Sequence, residues 1–126
     1  MKHSAKQYTC IIIDDDFSSI NILSEYIALI PMLRLVKSYL NPASAISALR
    51  RVQQIDFLFL DINMSISGID IAKAVRDRAR FIIMVTGYPE YALKAFDGHA
   101  DRFMARPVPF EKFLITVNQV LKMEFR

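Results

Sequence analysis

Residues 57–64 read FLFLDINM: four apolar side chains run straight into an aspartate, and a loop comes next. A carboxylate at the mouth of an apolar strand must be solvated, paired, bound to a cation or used chemically, because burying it bare costs many kcal/mol. Asp61 is therefore the residue from which the rest of the chain is read. Outward from it, short apolar runs alternate with amphipathic stretches: YTCIII at 8–13, LRLVKSY at 33–39, DFLFL at 56–60, FIIMV at 81–85 and DRFMA at 101–105. Between the first two runs, Ile20, Leu23, Ile27 and Ile30 recur at helical spacing until Pro31 stops the helix. Asn41 with Pro42 after it is a helix start, with Ile46 and Leu49 on the inner face. Gly68 opens a third helix carrying Ala72 and Val75, and Pro89 a fourth with Leu93 and Phe96. A fifth runs from about Phe110 and shows Phe110, Leu114, Val117 and Leu121.

Strict alternation of strand and helix predicts an α/β domain, a doubly wound parallel sheet joined by right-handed crossovers. Runs such as CIII, FLFL and FIIMV fit strands buried on both faces, which lose the in–out pattern. In such sheets the chemistry sits at the carboxyl ends of the strands. The residues just past each run are then the informative ones: Asp14, Asp15 and Asp16 after the first, Asp61 after the third, Thr86 and Gly87 after the fourth, Arg106 and Pro107 after the fifth.

The bulk numbers agree with a single domain. The chain has 126 residues, 53% hydrophobic and 23% charged, enough for one core and too few for two. A polar N-terminus (MKHSAKQYT) and the lack of a membrane-length apolar run argue against a signal peptide or membrane helix, and a cytoplasmic location is expected. Residues 1–7 read as a flexible leader and 8–124 as the domain. The lone Cys10, at the head of an Ile run, reads as a buried thiol. A net charge of +3 is mild and the basic residues are scattered, which indicates a nucleic-acid face only weakly and favours a solvated surface.

Several carboxylates on one spot repel each other, and a divalent ion or raised pKa values resolve the conflict. An all-oxygen set favours Mg2+, which keeps waters and shares its shell with phosphate oxygens. Asp61 is then a nucleophile able to form an acyl phosphate. Thr86 offers a hydroxyl to the resulting anion, Gly87 removes a side chain that would crowd it, and Arg106 brings a cation beside it.

The order IIIDDD, FLFLDINM, FIIMVTGY and a basic residue before Pro107 resembles the receiver domain of bacterial two-component response regulators, over roughly residues 8–124. GYPEYALKAFDGHADRF and PVPFEKFL are most similar to receivers that precede LytTR-type DNA-binding domains. The resemblance implies a flavodoxin-like (βα)5 fold with strand order 2-1-3-4-5. It implies Asp14 and Asp15 as the pair that organises Mg2+, Asp61 as the phosphoacceptor and the backbone carbonyl of Asn63 as a further metal ligand. Thr86 becomes the switch hydroxyl and Phe103 the switch aromatic, Arg106 takes the place of a family lysine, and Asp16 falls where another acid is common. A sensor histidine kinase would be the phosphodonor. An output domain or partner protein, such as a LytTR-type domain in a longer chain, would be the target, with dimerisation a habit of the family and a cis Arg106–Pro107 bond a candidate.

Two departures from the family pattern stand out. The loop DINMSISG carries Ser65 where proline is usual and is one residue short, with Gly68 seven residues after Asp61. Arg106, planar and inclined to bidentate pairing, could hold Asp61 in a standing ion pair that competes with Mg2+. An atypical, phosphorylation-independent receiver acting as a binding module is therefore a second reading. A third is a haloacid dehalogenase-like phosphatase, which Asp14, Asp16 and VTG at 85–87 resemble in part while leaving Asp61 unexplained. Taken singly, the three aspartates also fit a strand end that caps the next helix, Thr86 a strand-end threonine, Phe103 a core side chain and Arg106 a surface cation.

Overall fold

In the computed structural model, which describes residues 6–88, 90 and 100–123, the five apolar runs form one sheet. Its strands are β1 (Tyr8–Ile13), β2 (Leu33–Tyr39), β3 (Ile55–Asp61), β4 (Ala79–Thr86) and β5 (Arg102–Ala105). All pairings are parallel and the order is β2-β1-β3-β4-β5, as expected. The described helices are α1 (Phe17–Ala28), α2 (Pro42–Leu49), α3 (Gly68–Val75) and α4 (Phe110–Met123), with a short 3-10 turn at Arg76–Arg78. The helix expected from Pro89, with Leu93 and Phe96, lies outside the described residues.

Residue alternation along the three central strands divides the core in two. Cys10, Ile12, Phe57, Phe59, Phe81, Ile83 and Val85 face α1 and α4. Ile11, Ile13, Leu58, Leu60, Ile82 and Met84 face α2 and α3. Both sets are apolar because helices cover both faces, so the runs lose any polar alternation. Each buried side chain contributes roughly 1.5–3 kcal/mol, and a one-residue slip would move every large ring to the wrong layer, so the register is firmly set. Burial pushes the Cys10 thiol up to about 12, which leaves it an inert packing group.

The helices start where the sequence marks them. Asn41 Oδ1 accepts from Ser44 N at 3.1 Å, with Pro42 in the first turn of α2. Three details differ from expectation. Helix α1 closes at Ala28, before Pro31, as the Leu29 N–H turns back to the carbonyls of Glu25 and Tyr26. The inner face of α2 is Pro42, Ala45 and Leu49, and Ile46 is only half-buried. In α4 the buried stripe is Phe113, Thr116, Val117, Val120 and Leu121, rotated from the expected one so that Phe110 and Leu114 lie at its margin. Phe113 takes the centre because it meets Phe59 at a centroid distance of 5.2 Å.

Candidate functional site

Strand register alone gathers the rim. Ile13 pairs with Leu60, so Asp14 and Asp61 leave neighbouring strands at the same level. Asp61 itself pairs with Val85, one residue before Thr86. Thr86 pairs with Ala105, and the Arg106 N–H extends the ladder by donating to the Thr86 carbonyl at 2.7 Å. The Arg106–Pro107 peptide is cis.

Two of the carboxylates are buried, Asp14 at 1% exposure and Asp61 at 4%, while Asp15 is exposed. One oxygen from each of the three lies within 4.8 Å of the others. Asp14 Oδ1 accepts from the Asp16 N–H at 2.9 Å, and Asp61 Oδ1 from the Asn63 N–H at 3.3 Å. These bonds do not offset desolvation. Burial raises the Asp14 carboxyl above the usual range, and burial together with the Asp14 charge pushes Asp61 up to about 6.

Arg106 supplies the compensating charge. Its Nη2 is hydrogen-bonded to Asp14 Oδ2 and lies 3.4 Å from Asp61 Oδ1. The expected Arg106–Asp61 pair is thus present, but as the longer contact; the principal partner is Asp14, which is the more deeply buried and has Oδ2 left over after its bond to Asp16.

The remaining candidates are placed less uniformly. Asp16 lies outside the group of three and caps α1, accepting from Ser18 N at 2.9 Å and Ser19 Oγ at 3.3 Å. The capping reading holds for this aspartate. Thr86 is fully buried, and its hydroxyl accepts from the Tyr88 N–H at 2.9 Å. Gly87 does not relieve crowding among protein atoms, because a Cβ there would meet nothing within 4 Å. Phe103, half-buried beside Met84 in register, packs against the α2/α3 layer. A cleft of about 470 Å³ opens over the acids, lined by Asp15, Asp16, Asp61, Asn63, Gly87, Tyr88 and Arg106.

Two contributors were given no part in the site from the sequence. Gly68, noted as a helix start and for its spacing from Asp61, has its N–H on the Ile62 carbonyl at 2.8 Å, and a Cβ there would fall 2.2 Å from the Asp61 carbonyl oxygen. The shortened loop closes through this contact, with Ser67 capping α3. Tyr88 lies on the cleft at 55% exposure. Its place two residues after a strand end on the same rim was the available signal.

The donor set fits a hard divalent cation: carboxylate oxygens only, two of them buried and raised in pKa, and no sulfur or imidazole in the group. Among the described residues no helix is long and apolar enough to cross a membrane.

With this site and sheet in view, comparison with known proteins is direct. The model of the response regulator receiver domain matches residues 10–118, and the chain belongs to that family, the receiver modules of two-component signalling. It is 31% identical over 112 residues to an uncharacterized response regulatory protein of Yersinia pestis, covering 87% of this chain and 47% of the relative. It is 37% identical over 70 residues to the sensory transduction protein LytT of Oceanobacillus iheyensis, covering 52% of this chain and 28% of the relative. The crystal structure of the response regulatory domain of mrkE from Klebsiella pneumoniae superposes with a TM-score of 0.81 at 24% identity, over 91% of this chain and 96% of that one. The chain spans about half the length of the first curated relatives it matches. The family is a signalling module, and the phosphorylation-independent alternative is not favoured.

Proposed function

We propose that the domain accepts a phosphoryl group on Asp61, with Mg2+ held by Asp14, Asp15, Asp61 and the Asn63 carbonyl, and passes the change to Thr86 and Phe103. The observation that carries the reading is the meeting of three carboxylate oxygens within 4.8 Å beside the Arg106 guanidinium, at the carboxyl end of the sheet.

The chemistry derives from the residues. Even with its proton held up to about pH 6, Asp61 is ionised at neutral pH and is a competent oxygen nucleophile. Its oxygen bonds to phosphorus as the donor's phosphorus–nitrogen bond breaks; the donor imidazole leaves with a proton, and an acyl phosphate remains on Asp61. Bound Mg2+ would offset the repulsion between these carboxylates and the incoming phosphoryl oxygens. Arg106 presents its charge-assisted N–H groups to the same anion. Thr86 can donate its hydroxyl to the phosphoryl group once it gives up Tyr88, and the space it vacates is where Phe103 would follow. The added charge thereby biases a two-state surface.

The phosphodonor in this reading is a sensor histidine kinase in the cytoplasm, and the target is an output domain, of LytTR type, in a protein of the relatives' greater length. Incubation with acetyl phosphate and Mg2+ and then intact-mass measurement tests the reading. One phosphoryl adduct is expected, lost in Asp61→Asn; no adduct under conditions that label an ordinary receiver would remove it.

A further inference from the structure

Asp14 has two oxygens, and the fold commits both. Oδ1 takes the Asp16 N–H, and Oδ2, the oxygen left for a ligand, is held by Arg106 Nη2. The same nitrogen also lies 3.4 Å from Asp61 Oδ1. One guanidinium thus neutralises two of the three carboxylates that the divalent ion would use. Arg106 is 27% exposed and Asp14 about 1%, so the arginine can swing outward and the aspartate cannot follow.

We infer that Arg106 is a built-in competitor for the divalent cation at Asp14, weakening its binding there until an oxyanion arriving at Asp61 gives the guanidinium a second partner. The inference rests on the receiver reading only for the identity of the ion and the oxyanion. A guanidinium never deprotonates, so the ion must displace it as a charge. Removing one partner from a buried pair leaves a costly bare charge, but here the incoming cation replaces the outgoing one at Asp14, and the loss that remains is that of Arg106's own partner. A phosphoryl group restores that partner with bidentate, charge-assisted geometry, which a compact ammonium would not match. Ion and oxyanion therefore bind with positive cooperativity, and by linkage each raises the affinity of the other by the same factor.

The test is Mg2+ titration, by calorimetry and by the metal-induced shift in melting temperature, of the wild type, Arg106→Lys and Arg106→Met, each without and with beryllofluoride as the phosphoryl analogue. Without the analogue, Arg106→Met should bind Mg2+ about tenfold or more tightly than wild type, about 1.4 kcal/mol, with Arg106→Lys between them. With the analogue the wild type should gain more than Arg106→Met by a similar factor. Equal Mg2+ affinities, or equal gains, would overturn the inference. Should Arg106→Met fail to fold, Arg106→Lys decides: affinity unchanged from wild type counts against competition. The two readings fail separately, since phosphoryl labelling with equal Mg2+ affinities defeats the inference alone, whereas the expected Mg2+ pattern without labelling of Asp61 defeats the receiver chemistry alone.

Discussion

A side chain at Gly68 has no room: its Cβ would sit 2.2 Å from the carbonyl oxygen of Asp61 and 2.8 Å from the Cα of Ile62. Both obstacles are backbone, so neither can swing aside. The start of α3 is thereby pressed against the very residue that carries the Asp61 carboxylate, and the Gly68–Ile62 hydrogen bond locks the loop at that distance. Gly68→Ala should cost roughly 1–3 kcal/mol or more, the range for overpacking a rigid site, and should slow phosphoryl labelling of Asp61 by displacing it from Asp14. Urea unfolding and the labelling rate measure the two effects. An alanine variant with wild-type stability and rate would show that the loop relaxes freely.

Asp101 anchors the edge strand that delivers Phe103 and Arg106. Its Oδ2 accepts from Arg76 Nη1 at 2.9 Å and from the Ile82 N–H at 2.7 Å, while Arg76 also reaches the carbonyls of Ala79 and Arg80. Asp101→Ala leaves a half-buried guanidinium and a strand N–H without this acceptor, at an expected cost of about 1–3 kcal/mol. Hydrogen exchange of the β5 amides should speed up more than that of β1 or β3. Uniform protection at unchanged stability would contradict this anchoring role.

Stability should depend on pH through Asp61. The folded domain holds this proton up to about pH 6, against an ordinary value of 3.8, because burial and the neighbouring Asp14 disfavour the charge. Between those values the folded state binds more protons than the unfolded chain. The contribution is therefore fully present below about pH 4 and is lost as pH rises through about 6. Asp14 is raised in the same direction. Urea unfolding of wild type and Asp61→Asn across this window should give curves that diverge as pH rises, with the asparagine variant ahead by on the order of 2 kcal/mol at neutral pH. Parallel curves would mean that Asp61 is not desolvated as its burial indicates.

The sequence made the sheet legible because each run bounded by turn or helix signals has one physical solution: CIII, FLFL and FIIMV can only be central strands when helices separate them. The rim came from the same pattern, since parallel strands deliver Asp14, Asp61, Thr86 and Arg106 to one edge. The direction in which each side chain turns stayed hidden. Three consecutive aspartates look alike in a sequence, yet Asp16 serves the α1 cap and only Asp14 and Asp15 join Asp61. Arg106 pairs with Asp14 ahead of Asp61 because of an oxygen left free by a backbone hydrogen bond, which composition does not encode. Gly68 was visible as a helix start, and its contact with the Asp61 carbonyl needed three dimensions.

The central claim is that the carboxylate closing FLFLD, and no neighbouring acid, takes the phosphoryl group. Borohydride reduction of the acetyl phosphate-treated domain converts an aspartyl phosphate to homoserine, and peptide sequencing then locates it. Homoserine is expected at position 61 alone. Homoserine at 14, 15 or 16, or unmodified Asp61 in protein that carries a phosphoryl adduct, would contradict the claim.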